Sequence, residues 1–455
     1  MHRQLLLSSH NIQRLDIRLI STLSLLTIFL GLSACGGGSG SGSAITSSSP
    51  PSLILVSVSS AEDQATSTSF SPSISRTGRY IAFGSDANNL VSGDTRAVDI
   101  FVRDVSAGTT EIISLDINGN EPADGASWQS TISGDGRYVA FSSTSTALVP
   151  NDTNAAYDIF VRDRQANTLT RVSIDSNGIE GNDSSQHPDI SDDGRYIAFL
   201  SAASNLVADD TNGITDIFIH DTQTNQTTRV SVDSLGGEAN SASVRVNMSA
   251  DGAFVVFLSN ASNLVADDFN GVGDVFVHNT KTGNTSRVSV DSNGVEGNDN
   301  SGNTINISAD GRFIVFSSRA SNLVDADTNG VEDIFVHDTQ AGTTQRVSIS
   351  SNNVEANDDS GSPSISADGR YIAFSSSASN LVDNDTNNAE DIFIHDLQSS
   401  TTVRIVNASG TEGDDDSSYP EISADGKQVS FQSFSRNLVS NDTNMQQDIF
   451  RAAVE

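Results

Sequence analysis

The chain has 455 residues, with 24 Lys+Arg against 58 Asp+Glu and a formal charge of −34. A surface that acidic repels nucleic acid and anionic lipid headgroups, so neither is expected as a partner of the folded part. Hydrophobic residues make up 36%, lean but sufficient for sheets, and the single cysteine, Cys35, excludes an intramolecular disulfide.

At the N-terminus, Arg14 and Arg18 precede an apolar run from Leu19 to Leu32, followed by Ser33, Ala34 and Cys35. The run is too short for a membrane-spanning helix and has the order of a secretory signal: basic, then apolar, then small. Leu32-Ser33-Ala34-Cys35 resembles the bacterial lipobox. That resemblance implies a signal peptide over 1–34, lipidation of Cys35 and, with Gly36 next, sorting to the outer membrane. Residues 35–52 read as the lipidated cysteine and a flexible Gly/Ser/Pro-rich tether.

A propeller or solenoid is signalled from there on by a repeat of about 58 residues. Glycines 78, 136, 194, 252, 311, 369 and 426 precede apolar runs at intervals of 58, 58, 58, 59, 58 and 57. The aspartates 99, 158, 216, 274, 333, 391 and 448 open Asp-Ile/Val-Phe runs with the same period. In the unit from Pro188 to Asp233, four strands are predicted: Pro188–Ser191, Arg195–Ser201, Asp216–His220 and Thr228–Val232. The second and third are apolar on both faces, as central strands are, and the fourth alternates. The last unit supplies only three strands, at Glu421–Ser423, Gln428–Gln432 and Asp448–Ala452. Leu53–Ser60 (LILVSVSS) matches the missing fourth. The prediction is an all-β, seven-bladed β-propeller over 53–455, its four-stranded antiparallel blades closed into a ring by the N-terminal strand.

Ser366–Ser376 (SADGRYIAFSS) followed by Asp391–Asp396 (DIFIHD) is similar to the repeat of TolB-type propellers. The similarity runs through every unit and implies the fold; no activity is carried over from it.

Strand direction places the long 2–3 and 4–1 loops on one side of the disc, and these are the acidic loops. One broad, negative face is therefore expected to bind proteins, glycans or cations. Calcium is the sharpest ligand prediction. Asp325, Asp327, Asn329 and Asp333 stand at positions 1, 3, 5 and 9 of a loop with Gly330 at 6, and Asp383, Asp385, Asn387 and Asp391 repeat the spacing. The alternative is that Asp and Asn bond their own loop backbone. His220, His278, His337 and His395 share one register on strand three with Arg103 and Arg162, which marks them as packing residues. His187 and Trp128 occur once each and break the repeat.

No nucleophile elbow, zinc set or phosphate loop is present. Close copies also lack the asymmetry that a catalytic site needs. The expectation is a non-enzymatic, monomeric envelope lipoprotein, anchored to the membrane by lipid, that binds or scaffolds envelope proteins or glycans. A propeller hydrolase or lyase with its site at the central channel is the alternative.

Overall fold

The computed structural model describes residues 53–454 apart from 95–97 and 123. The readings on the signal peptide, Cys35 and the tether lie outside the described residues. The described chain forms seven four-stranded antiparallel sheets. They are numbered here as blades 1 to 7 from the sheet that begins at Ser69. In blade 3 the strands are Ser185–Ile190, Tyr196–Ser201, Asp216–Asp221 and Gln226–Arg229, paired in that order. The first strand lines the central channel and the fourth lies on the rim.

Blade 7 is assembled from both ends of the chain. Ser417–Ile422, Gln428–Ser433 and Asp448–Ala453 are completed by Ile54–Leu55, with Leu55 opposite Phe450. Val56 N–H donates to Ile449 O at 2.7 Å, and the Ser57 hydroxyl donates to the Asp448 carboxylate at 2.5 Å. Ser231 makes the same hydroxyl bond to Asp216 in blade 3. The joint between head and tail thus repeats the serine–aspartate bond found inside blades 1 to 5.

Fourth strands end earlier than the apolar pattern predicts, and in blades 1 to 5 a serine interrupts the ladder there. In blade 3 the Ile217 N–H goes to Ser231 Oγ at 3.0 Å rather than to a carbonyl, and the chain peels away. The opening aspartate of each third strand is buried; it accepts that serine's hydroxyl in every blade but blade 6, where Val406 replaces the serine and Asn387 and Arg404 hold Asp391 instead.

Strands two and three lose alternation because both of their faces are covered. Phe199 and Phe218 are fully buried and face each other across the pair, ring centroids 6.0 Å apart, and every blade repeats this pair. Ala198, Ile217 and Ile219 of blade 3 then pack on Val246, Met248 and Phe257 of blade 4. The turn glycines serve the same seam. Gly194 has φ +73°, and a Cβ there would lie 2.1 Å from the Tyr138 ring of the preceding blade. The repeated histidines also brace blades. Nδ1 of His220, His278, His337 and His395 meets a threonine hydroxyl at 2.9 Å. In blade 3 that hydroxyl, on Thr227, donates to Ile174 O of the previous loop at 2.5 Å. Burial lowers the pKa of each of these imidazoles, so they act as neutral struts.

Candidate functional site

The two kinds of long loop do meet on one side. In blade 2, Glu180 of the 4–1 loop accepts the Thr153 N–H of the 2–3 loop at 3.2 Å, and its own carbonyl takes Asn205 Nδ2 of blade 3 at 2.8 Å. Within this face the predicted calcium residues divide. Asp327, Asn329 and Asp333 converge, as do Asp385, Asn387 and Asp391, whereas Asp325 and Asp383 are exposed and stand apart.

At the centre of each cluster is a guanidinium from the fourth strand. Arg346 lies 3.3 Å from both Asp327 and Asp333 and 2.9 Å from Glu355. Arg404 lies 3.1 Å from Asp385, 3.0 Å from Asp391 and 2.7 Å from Glu412. Arg171, Arg229 and Arg287 repeat the arrangement in blades 2 to 4. The asparagine serves the loop itself: Asn387 donates to Asp391 and to Gly413 O, and accepts the Ala389 N–H. A divalent ion seated here has to displace a buried cation already balanced by three carboxylates.

The two end blades depart from this pattern. Blade 7 has Leu55 opposite its Phe450, and Gln64 in place of the glutamate, donating to Asp442 at 2.8 Å and Asp448 at 2.9 Å. In blade 1, Ile112 takes the arginine's place opposite Phe101, and Asp94, Asp99 and Glu121 converge within 4.8 Å, each with a polar partner. Carboxylate groups with metal-ligand spacing thus occur in blades 1, 2 and 6.

The central channel has a different character. It encloses a cavity of about 510 Å3 lined by the first strands of all seven blades. Each first strand slips register near its middle: in blade 3, Gln186 faces Leu200 but Asp189 faces Ala198. At this bulge the backbone turns left-handed on a non-glycine residue in six blades, at Ser71, Gln129, His187, Arg245, Ser362 and Tyr419, with φ between +49° and +58°. Such a bulge re-aims a side chain, here into the channel, at a conformational cost of order 1–3 kcal/mol. Neighbouring blades satisfy the bulge amides: His187 N–H goes to Gln129 Oε1 at 3.1 Å, and Ser362 N–H to Thr304 Oγ1 at 3.0 Å. Gln129 Nε2 also meets His187 Nε2 at 3.1 Å. Burial, then the nearby charge of Arg245, pushes His187 down to about 4, so the ring is neutral at pH 7.

Deeper, a second ring carries Ser73, Thr131, Asp189, Asn247, Asn306, Ser364 and Glu421. Three of these residues cap an amide of the next blade: Ser73 accepts Ile132 N–H at 3.1 Å, Asp189 Met248 N–H at 2.7 Å and Ser364 Ile422 N–H at 3.1 Å. Burial pushes Asp189 up to about 6. Burial, with the charge of Asp189 adding to it, pushes Glu421 up to about 7. Below them, backbone bonds link successive 1–2 turns, as in Gly134 N–H to Asp192 O at 3.1 Å, and draw that mouth together.

The unique Trp128 lies beside this region, outside the residues that line the cavity. It precedes the bulge in blade 2 and stacks on Phe70 of blade 1, centroids 5.3 Å apart. Phe70 fits only because Gly84 lies beneath it, where a Cβ would sit 2.4 Å from the ring. Sequence reading flagged His187 and Trp128 but not Gln129, Arg245, Tyr419 or the two deep carboxylates. Their signal was available as the positions where aligned repeats disagree.

The architecture is that of a closed seven-bladed β-propeller. No protein-family model matches the sequence, and no curated protein matches it. Among solved structures, an oligogalacturonate lyase in complex with manganese is similar at TM-score 0.50 and 12% identity, over 89% of this chain and 97% of that one. The β-propeller domain of the Trilobed protease from Pyrococcus furiosus, described as an open velcro topology, has TM-score 0.51 and 12% identity, over 86% and 94%. TolB from Acinetobacter baumannii is similar over 83% and 81% at 14% identity and TM-score 0.38. These likenesses concern fold. Lyase and peptidase propellers stand among them beside TolB.

Proposed function

We propose that this protein is a non-enzymatic binding propeller of the bacterial envelope, anchored through Cys35, whose ligand sits at the loop-side mouth of the central channel. One observation carries the reading. Second and third strands are near copies around the ring, whereas the channel position of the first strand carries Ser71, Gln129, His187, Arg245, Ser362 and Tyr419 in the six blades other than blade 5. Divergence that converges on one concave surface of a rigid scaffold is how a site is built on a repeat fold. The acidic rim, its carboxylates in blades 2 to 6 turned onto arginines, serves as solvated surface that repels polyanions.

The test is capture from envelope extracts with the immobilised full chain. A partner or ligand retained by the wild type is expected to be lost with Gln129→Ala/Tyr419→Ala and kept with Asp325→Asn/Asp383→Asn. The opposite pattern returns the site to the acidic rim. Cys35→Ser is expected to abolish incorporation of labelled palmitate and release the protein from membranes.

A second reading is a hydrolase or lyase at the channel. It is favoured by Asp189 and Glu421, whose raised pKa values near 6 and 7 suit a general acid. Turnover of a glycoside, lactone or peptide that Glu421→Gln abolishes without unfolding would establish it. Calcium in the loops of blades 5 and 6 would require Arg346 and Arg404 to move aside.

A further inference from the structure

Arg245 is out of keeping with the rest of the molecule. Acidic residues outnumber basic ones 58 to 24, so an exposed cation is rarely far from a carboxylate. Among the described residues, the other exposed cations are ion-paired: Arg76 with Asp192, Arg79 with Asp104, Lys281 with Asp251, Arg319 with Asp359, Lys427 with Asp425 and Arg436 with Asp414. Arg245 is exposed in the channel, and its one bond is from Nε to Asn303 O at 3.1 Å. That bond fixes the guanidinium and leaves both Nη groups to the cavity. Asp189, the acid of the neighbouring blade, is spent on Met248 N–H, Ile190 N–H and Thr131 instead.

Resting on the channel reading above, we infer that the mouth binds an organic carboxylate of small-molecule size, its carboxylate held by the Nη groups of Arg245. A planar guanidinium matches a carboxylate with two parallel bonds. Gln129 and the neutral His187 add polar contacts without adding charge. Ile74, Ile132 and Ile190, which line the same cavity, supply apolar surface for the ligand's body. One free cation above two deep carboxylates, in a chain of charge −34, suits a monoanion and disfavours multiply charged phosphates. The cavity of about 510 Å3 falls within the range of small-ligand sites, roughly 300–1,000 Å3.

Trp128, the only tryptophan in the chain, adjoins the channel-lining Gln129, so intrinsic emission reports from beside this mouth. The full chain would be titrated at fixed ionic strength with benzoate, glucuronate and citrate, each set against an uncharged counterpart: benzamide, glucose and glycerol. At least one carboxylate is expected to give a saturable change, with the counterpart at least about tenfold weaker. Arg245→Gln should abolish that preference, Arg245→Lys should keep part of it, and Arg436→Gln should leave it intact. Equal response to acid and counterpart, unchanged by Arg245→Gln, overturns the carboxylate but leaves a channel site standing. Silence to all six probes overturns the inference, and capture from extracts then decides separately whether the channel binds anything.

Discussion

Arg404 is 7% exposed and has three carboxylates around it, so its loss strands negative charge that has little water to replace it. Arg404→Gln is expected to destabilise the fold by about 3–5 kcal/mol, the usual cost of breaking a buried pair from one side. Denaturant unfolding at pH 7 measures it. If the cluster is a cation site by nature, millimolar calcium should raise the melting temperature of Arg404→Gln and not of the wild type; no response in the variant removes calcium from this loop. The loop's Asp and Asn spacing was legible because it lies within nine residues. The arginine was missed because it comes from another strand, although Arg171, Arg229, Arg287, Arg346 and Arg404 keep the same period at intervals of 58, 58, 59 and 58.

Strand identities were readable because burial on both faces erases alternation, and burial in these sheets follows the repeat. Bulges were not readable: a residue at positive φ in the first strand has no fixed side chain to announce it, as Ser71, His187 and Tyr419 show. The turn glycines were found by period alone, yet their recurrence has two causes that mutation separates. Gly194→Ala meets both a left-handed backbone and the Tyr138 ring, and is expected to cost on the order of 2–4 kcal/mol. Gly213, at φ +67° with open space around it, should cost only about 1–2 kcal/mol when changed to alanine. Equal losses in the two variants would mean that the seam between blades is looser than the structure has it.

Taken whole, the propeller should be most stable in mildly acidic solution. Asp189 and Glu421 titrate near 6 and 7 in the fold, above the ordinary carboxylate range. Their stabilising contribution is complete below about pH 4 and is lost as pH rises through 6 to 7. Asp221, Asp338 and Asp396 run the other way. Hydrogen bonds from Arg195, Arg312 and Arg370 hold them well below the usual range, so their contribution is present above about pH 4 and vanishes in stronger acid. The melting temperature is expected to peak between roughly pH 4 and 6. Asp189→Asn/Glu421→Gln should flatten the fall towards pH 8; an unchanged profile would show that the channel acids are not its source. Closure is tested by Val56→Pro, which removes the amide bonded to Ile449 O and should cost about 3 kcal/mol or more.

Because Ile54–Leu55 docks into blade 7 by the same chemistry that seats Gln226–Arg229 in blade 3, no blade is privileged as the starting point. Cutting the polypeptide in any rim loop between blades, and fusing the old termini through a short spacer, ought to yield a circular permutant with the same wheel. If the anchor proposed at Cys35 is placed at each new N-terminus, such permutants would shift the point of attachment from one sector to another while leaving the hub untouched, and so test whether the disc's orientation matters.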